Sequence, residues 1–145
     1  VVVGMPEFNI LGLDYGDMRL GVAVANNLLQ IAHPLITISG EGMWQKIDQL
    51  APLITKWQPQ LLVLGMPELN AQSNLQKIQL CNTINNFAKR IGRKFNLPVE
   101  LVNEAYSSAY ASQLLTQQGI YARQQQGKLD QLAACAILQT YFQLK

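Results

Sequence analysis

The spacing of apolar residues changes period along the chain, and the change divides it into two parts. Ile10 to Leu13 lead into Asp14-Tyr15-Gly16 and read as a strand ending in a turn. Arg19 to Ala25 form a second apolar run so soon afterwards that only an antiparallel hairpin can join the two, with Gly16 supplying the freedom of a short turn. A third strand is expected around Leu35 to Ile38, after Pro34. Trp44, Ile47, Leu50, Ala51, Ile54 and Trp57 then recur at intervals of three and four, the period of an amphipathic helix lying on a sheet. Pro52 lacks an amide hydrogen and conflicts with a regular interior at a cost of about 3 kcal/mol, so a kink or a nearby helix end is expected. Leu61 to Leu64 are apolar without alternation, as in a strand buried on both faces.

Ser73 is a candidate cap for a long helix running to about Phe95, with Ile84, Ala88, Ile91 and Phe95 on one stripe. Pro98 to Val102 read as a fifth strand. Ser107 or Ser108 is expected to cap a helix through Leu115 that stops at Gly119, and an exposed loop from Tyr121 to Gly127 carries Arg123. A last helix starts near Lys128, with Leu129, Ala133, Ala136, Ile137, Tyr141 and Leu144 on its apolar side. Right-handed crossovers through the two central helices place the fourth and fifth strands parallel to the first, on the side away from the hairpin. The expected architecture is α/β, a five-stranded mixed sheet of order 3-2-1-4-5 with helices on both faces. The C-terminal ends of the first and fourth strands then lie side by side, where open α/β sheets carry their sites.

With 145 residues the chain fits one domain, 1–145, and 49% hydrophobic against 14% charged residues suits a globular interior. The apolar runs are strand-sized and no basic, long-apolar leader pattern opens the chain, so no membrane association and a cytoplasmic location are expected. Cys81 and Cys135 sit in helical patterns without CxxC spacing and read as buried thiols. His33 has no matching Cys or His set, which argues against zinc. The net charge of +2 is too small to indicate a polyanionic ligand, but from Asn85 to Lys128 six basic residues face two acidic ones. Lys89, Arg90 and Arg93 within that stretch suit either a phosphate backbone or a solvated helix end. Trp44 and Trp57 are expected in the core; Tyr15 should cover the sheet face opposite Asp14, and Tyr106 lies near the site loops.

The candidate chemistry rests on three carboxylates at element ends: Asp14 closing the first strand, Glu104 just after the fifth, and Asp130 in the first turn of the last helix. Converging on one sheet edge, they can hold hard divalent cations through oxygen. Asp130 alone would read as a first-turn acid favoured by the helix dipole. Without metal, the three should repel one another and raise one or more pKa values. Two Mg²⁺ or Mn²⁺ ions about 4 Å apart can activate water and relieve charge on a phosphodiester, with Asp14 bridging them and Glu104 and Asp130 flanking. Asp17 reads as a turn residue and Glu68 as a loop residue near the same edge.

On these residues the sequence resembles the YqgF/RuvX family of Holliday junction resolvases, within the ribonuclease H-like superfamily and linked also to processing of the 5′ end of pre-16S ribosomal RNA. The opening signature is similar to Leu13-Asp14-Tyr15-Gly16-Asp17-Met18-Arg19-Leu20-Gly21-Val22-Ala23-Val24, and the closing one to Gly127-Lys128-Leu129-Asp130-Gln131-Leu132-Ala133-Ala134. The central signatures depart. Gly65-Met66-Pro67-Glu68-Leu69-Asn70 stands where the family has Gly-Leu-Pro leading to Asp-Gly, and Asn103-Glu104-Ala105, then Ser107-Ser108, stand where it has Asp-Glu-Arg and a Thr pair.

The resemblance implies a ribonuclease H-like fold and a metal-dependent nuclease acting on an RNA precursor or on branched DNA. Asp14, Glu104 and Asp130 would be catalytic and metal-binding; Arg19, Lys128, Ser107, Ser108, Arg123, Lys89, Arg90 and Arg93 would contact nucleic acid. A monomer or weak homodimer is expected, since no apolar strip for a stable dimer is evident. The changed central motif keeps open a non-catalytic RNA-binding ribosome-assembly factor. An actin-like phosphotransfer enzyme fits poorly, because one lobe cannot close around a nucleotide and no GxxxxGK[ST] loop is present.

Overall fold

The computed structural model describes residues 6–104 and 126–145. Within them the order is β1 (Asn9–Tyr15), β2 (Arg19–Asn26), β3 (Ala32–Ser39), α1 (Gly42–Trp57), β4 (Leu61–Met66), α2 (Leu75–Phe95), β5 (Val99–Asn103) and α3 (Gln126–Gln143). The strands form one five-stranded sheet in the order β3-β2-β1-β4-β5, as the hydrophobic pattern predicts. β1 is antiparallel to β2, which is antiparallel to β3, whereas β4 is parallel to both β1 and β5. The expected helix between Ser107 and Leu115 lies outside the described residues.

Strand alternation divides the core into two layers. Leu11, Leu13 and Tyr15 of β1 face α1 and α2, where they join Ile47, Leu50, Ile84, Phe87 and Ile91. Ile10 faces α3, beside Ala134, Ile137, Leu138 and Tyr141. Tyr15 covers the face opposite Asp14, its ring 4.8 Å from that of Phe87. α3 is buried on nearly every side from Ala134 to Leu138, so it reads as a core helix rather than an amphipathic one. Leu144, expected on its apolar side, is instead exposed at the frayed end. Cys81 and Cys135 are buried free thiols, and burial pushes the Cys135 thiol up to about 12.

Several local expectations are corrected. α1 runs unbroken through Pro52, whose exposed position leaves the unpaired carbonyl one turn back, at Asp48, on the solvent side. The cap of α2 is Asn74, whose Oδ1 accepts from the Lys77 amide, while the Ser73 hydroxyl accepts from the Asn70 amide in the preceding turn. Trp44 is not in the core: it is 58% exposed, with the Arg90 guanidinium 4.8 Å from its ring centre. Its place inside is taken by Lys46, whose ammonium is fully buried and donates to the carbonyls of Asp17, Gly40 and Gly42. That ammonium also sits 4.9 Å from the Tyr15 ring centre. Three carbonyls and an aromatic face replace the water a buried cation loses, and they tie the β1–β2 turn to the start of α1.

Candidate active site

One cross-strand row of the sheet builds the site. Asp14 on β1 pairs with Gly21 on β2, and Gly21 pairs with Thr37 on β3. On the other side Leu13 pairs with Leu64, which sets Gly65 of β4 beside Asp14. Asp14 is thus flanked by two glycines on the α3 face, and each lets another acid approach. A Cβ on Gly21 would run into the backbone of Asp130, and one on Gly65 would lie 2.8 Å from Glu104 Cγ and 2.9 Å from Glu104 Oε1. Gly12, one strand position closer to the core, admits Leu138 and the Ala134 carbonyl in the same way. The glycine hydrogens therefore set the approach of α3 to the sheet and the meeting of the acids.

α3 begins at Gln126, which puts Asp130 in its second turn rather than its first, and both turns are anchored along this row. The Thr37 hydroxyl donates to the Gly127 carbonyl, and Gln131 Nε2 donates back to Thr37 Oγ1 at 3.3 Å. Arg19, two residues from Gly21 on β2, donates through Nε to Asp130 Oδ2 at 2.6 Å. Asp14 is half-buried, and its carboxyl is pushed from 3.8 to about 9, first by burial, then by a hydrogen bond with Glu104 and by the charges of Glu104 and Asp130. A bond that raises the pKa is one the protonated Asp14 donates. Burial and the two neighbouring negative charges together favour the neutral form of Asp14.

Glu104 follows the last residue of β5, opposite Met66 through the Asn103 pairing. Among the described residues no three His, Cys, Asp or Glu side chains are gathered tightly enough for one metal ion, and the Asp130 carboxylate is turned to Arg19. The donor set nevertheless fits a hard cation: it is all oxygen, and Asp14 and Glu104 lie close enough to hydrogen-bond.

The other sequence candidates are dispersed. Lys128 is half-buried on α3, and its charge reaches the Cys135 thiol two turns on. Lys89 and Arg93 border a shallow hollow of about 360 Å³ beside edge strand β5, while Arg90 covers Trp44. Asp17 lies in the β1–β2 turn, Glu68 is exposed beyond β4, and His33 is exposed on β3. Ser107, Ser108, Arg123 and Tyr106 lie outside the described residues. Sequence reasoning missed the Gly21 and Gly65 platforms and the Thr37 anchor. A glycine inside an apolar strand was the available signal, because it marks a place where something packs close to the backbone.

No helix of the described residues is long and apolar enough to cross a membrane. The family described as "RuvX: Holliday junction resolvase" matches residues 8–144. The chain is 48% identical over 133 residues to a Methylobacillus flagellatus protein named "Putative pre-16S rRNA nuclease", covering 92% of this chain and 89% of that one. A protein of the same name from Chromobacterium violaceum is 40% identical over 134 residues, covering 92% and 96%. Among solved structures, Thermus thermophilus RuvC in complex with Holliday junction substrate superposes with a TM-score of 0.62 at 13% identity, covering 94% of this chain and 96% of that one. The fowlpox virus Holliday junction resolvase gives 0.57 at 14% identity, covering 94% and 99%. At such identities the structures speak to the fold alone. The fold is thus shared with RuvC, and a family match over almost the whole length, with relatives at 48% and 40% identity, makes the chain a member of the YqgF/RuvX family.

Proposed function

We propose that the protein is a metal-dependent nuclease hydrolysing phosphodiester bonds in structured nucleic acid, with Asp14, Glu104 and Asp130 as its catalytic carboxylates. The observation that carries this reading is the row of Gly21, Asp14 and Gly65, whose two glycines let the Asp130 backbone and the Glu104 side chain close in on Asp14, with the charges of both acids pushing the Asp14 carboxyl up. Acids arranged so that one cannot ionise favour a bound cation, which relieves the repulsion that the proton relieves in its absence. Mg²⁺ or Mn²⁺ held by Asp14, Glu104 and Asp130 would supply an activated water and charge relief on the phosphate. Asp14 presents oxygen from the rigid centre of the sheet, Glu104 from the end of β5, and Asp130 from α3 once Arg19 releases it. Arg19 is 43% exposed and can turn its guanidinium to a phosphate oxygen, for which the planar fork is well shaped.

The names of the relatives support an RNA precursor as substrate, and the RuvX description supports a four-way junction. A second reading, an RNA-binding assembly factor without catalysis, is favoured by Asn103 and Ala105 flanking Glu104 in place of the family's acid and arginine. The test is cleavage of single-stranded RNA, a precursor rRNA mimic, duplex DNA and a four-way junction in Mg²⁺ or Mn²⁺, at controlled salt. Asp14→Asn, Glu104→Gln and Asp130→Asn are each expected to lower the rate about 100-fold or more. Equal cleavage by wild type and all three variants would assign the activity elsewhere; tight binding without cleavage by folded, metal-supplied protein would favour the assembly factor.

A further inference from the structure

A cleft of about 760 Å³ opens on the side of the sheet away from α3, between the β1–β2 turn and the first turns of α2. Gly16 and Asp17, two and three residues after Asp14, form one wall, and Pro67, two residues after Gly65, forms its floor. The wall is fixed, because Lys46 Nζ grips the Asp17 carbonyl at 2.6 Å. The facing helix contributes the amides of Gln76 and Gln79, with Leu80 also lining the cleft. These two amide groups make no hydrogen bond among the described residues and are exposed to whatever enters. Lys77 balances Asp17, so the cleft carries no net positive charge and does not suit a phosphate backbone. Amides beside apolar walls suit a heterocycle that offers donors and acceptors along its edge, as an unpaired base does.

A second observation lies further along the same side of α2. Gln76, Thr83, Phe87 and Arg90 follow one another at intervals of seven, four and three, and so share a face. Phe87 touches Tyr15, and Arg90 covers the exposed Trp44. Arg90, which covers Trp44, thus stands about 10 Å along the helix axis from Thr83, the cleft residue farthest along α2. Trp44 keeps more than half of its surface in solvent, and an exposed indole backed by a guanidinium is the kind of surface on which bases stack in single strands.

We infer that the cleft and the Trp44–Arg90 pair form a binding track for a single-stranded nucleic acid segment adjoining the bond at the acids, one base entering beside Gln76 and Gln79 and a neighbour stacking on Trp44. This rests on the nuclease reading for its place in the reaction, but its binding is separable from cleavage. The track selects substrates with unpaired nucleotides next to the cleaved bond over uninterrupted duplex.

The test uses protein carrying Trp57→Phe, so that Trp44 is the remaining indole, in EDTA to suspend metal-dependent cleavage. Single-stranded RNA, DNA of the same sequence, strands with one abasic position and the matching duplex are titrated, with fluorescence anisotropy reporting binding and indole emission reporting stacking. Single strands of either sugar should quench Trp44, and an abasic strand or the duplex should quench it less and bind about tenfold more weakly. Trp44→Ala and the double change Gln76→Ala with Gln79→Ala should each lose about tenfold in single-strand affinity, with circular dichroism unchanged and duplex binding retained. Single strands that bind without quenching, or that bind both variants as tightly as the parent, overturn the inference. Base-dependent binding in a protein that never cleaves would uphold it and sink the nuclease reading; cleavage indifferent to unpaired bases would do the reverse.

Discussion

Asp14 is the residue on which stability and proposed chemistry meet. Its carboxyl holds a proton up to about 9 in the folded state against an ordinary value of 3.8, chiefly through burial and secondly through Glu104. Between those two pH values the folded chain binds a proton that the unfolded chain has released, so stability falls as pH rises across that window and levels off above it. Metal-free protein should show this decline in thermal melts taken from pH 5 to pH 9. Asp14→Asn keeps the size and removes the ionisation; it should flatten the slope and stabilise the metal-free protein by about 1–3 kcal/mol at pH 8. A melt profile unchanged by the substitution would mean that the carboxyl is not the group being titrated. Arg19 presents a complementary case, since its guanidinium occupies an oxygen of Asp130. Arg19→Gln removes a positive charge that competes with a cation, so Mn²⁺ measured by electron paramagnetic resonance should bind several-fold more tightly, while affinity for nucleic acid drops.

At the scale of elements, the position of α3 is decided by what the strands beneath it lack. Gly12, Gly21 and Gly65 each sit where a methyl group would strike the helix or the acid it brings. Gly21→Ala forces the Asp130 backbone outward, and Gly65→Ala presses on Ile137 Cδ1 at 2.5 Å as well as on Glu104. Each should cost about 1–3 kcal/mol in urea denaturation, the range for overpacking a tight contact. Each should also weaken Mn²⁺ binding, since the acids are moved apart. Ala23, on β2 and facing the same helix, offers a contrast: Ala23→Gly leaves a small gap and should cost about 1 kcal/mol while sparing metal affinity. On the other layer Phe87→Ala removes the ring that packs on Tyr15, and a loss of about 3–5 kcal/mol is expected with Mn²⁺ affinity little changed.

For the whole molecule, a cation taken up only by the folded chain must stabilise it in proportion to its occupancy. At a concentration 100 times the dissociation constant the gain is about 2.7 kcal/mol. Mg²⁺ or Mn²⁺ should therefore raise the melting temperature, more at pH 8 than at pH 5, because at low pH the ion must displace the proton on Asp14. Ca²⁺ shares the oxygen preference and should also stabilise the protein; Zn²⁺, which favours nitrogen and sulfur, should do so less. A melting temperature indifferent to Mg²⁺ and Mn²⁺ at pH 8 would leave the three acids without a metal.

Period and spacing alone determined the strand order and the parallel and antiparallel pairings, because these follow from short-range geometry. A few residues between β1 and β2 allow only a hairpin, and the helical crossover through α1 returns β4 parallel to β1. What alternation could not reveal is which face α3 covers and how close it comes. That depended on the cross-strand row of Thr37, Gly21, Asp14 and Gly65, whose members are far apart in sequence and meet only through register. Trp44 and Lys46 make the same point from the opposite direction. A helical stripe places the indole inside by hydropathy, yet tertiary structure leaves it beside Arg90 and buries an ammonium instead. Three carbonyls from two separate turns converge there, and a cation that receives three hydrogen bonds can replace the water it loses. Hydropathy scores each side chain against bulk solvent, whereas burial is decided by the partners that the fold assembles around it.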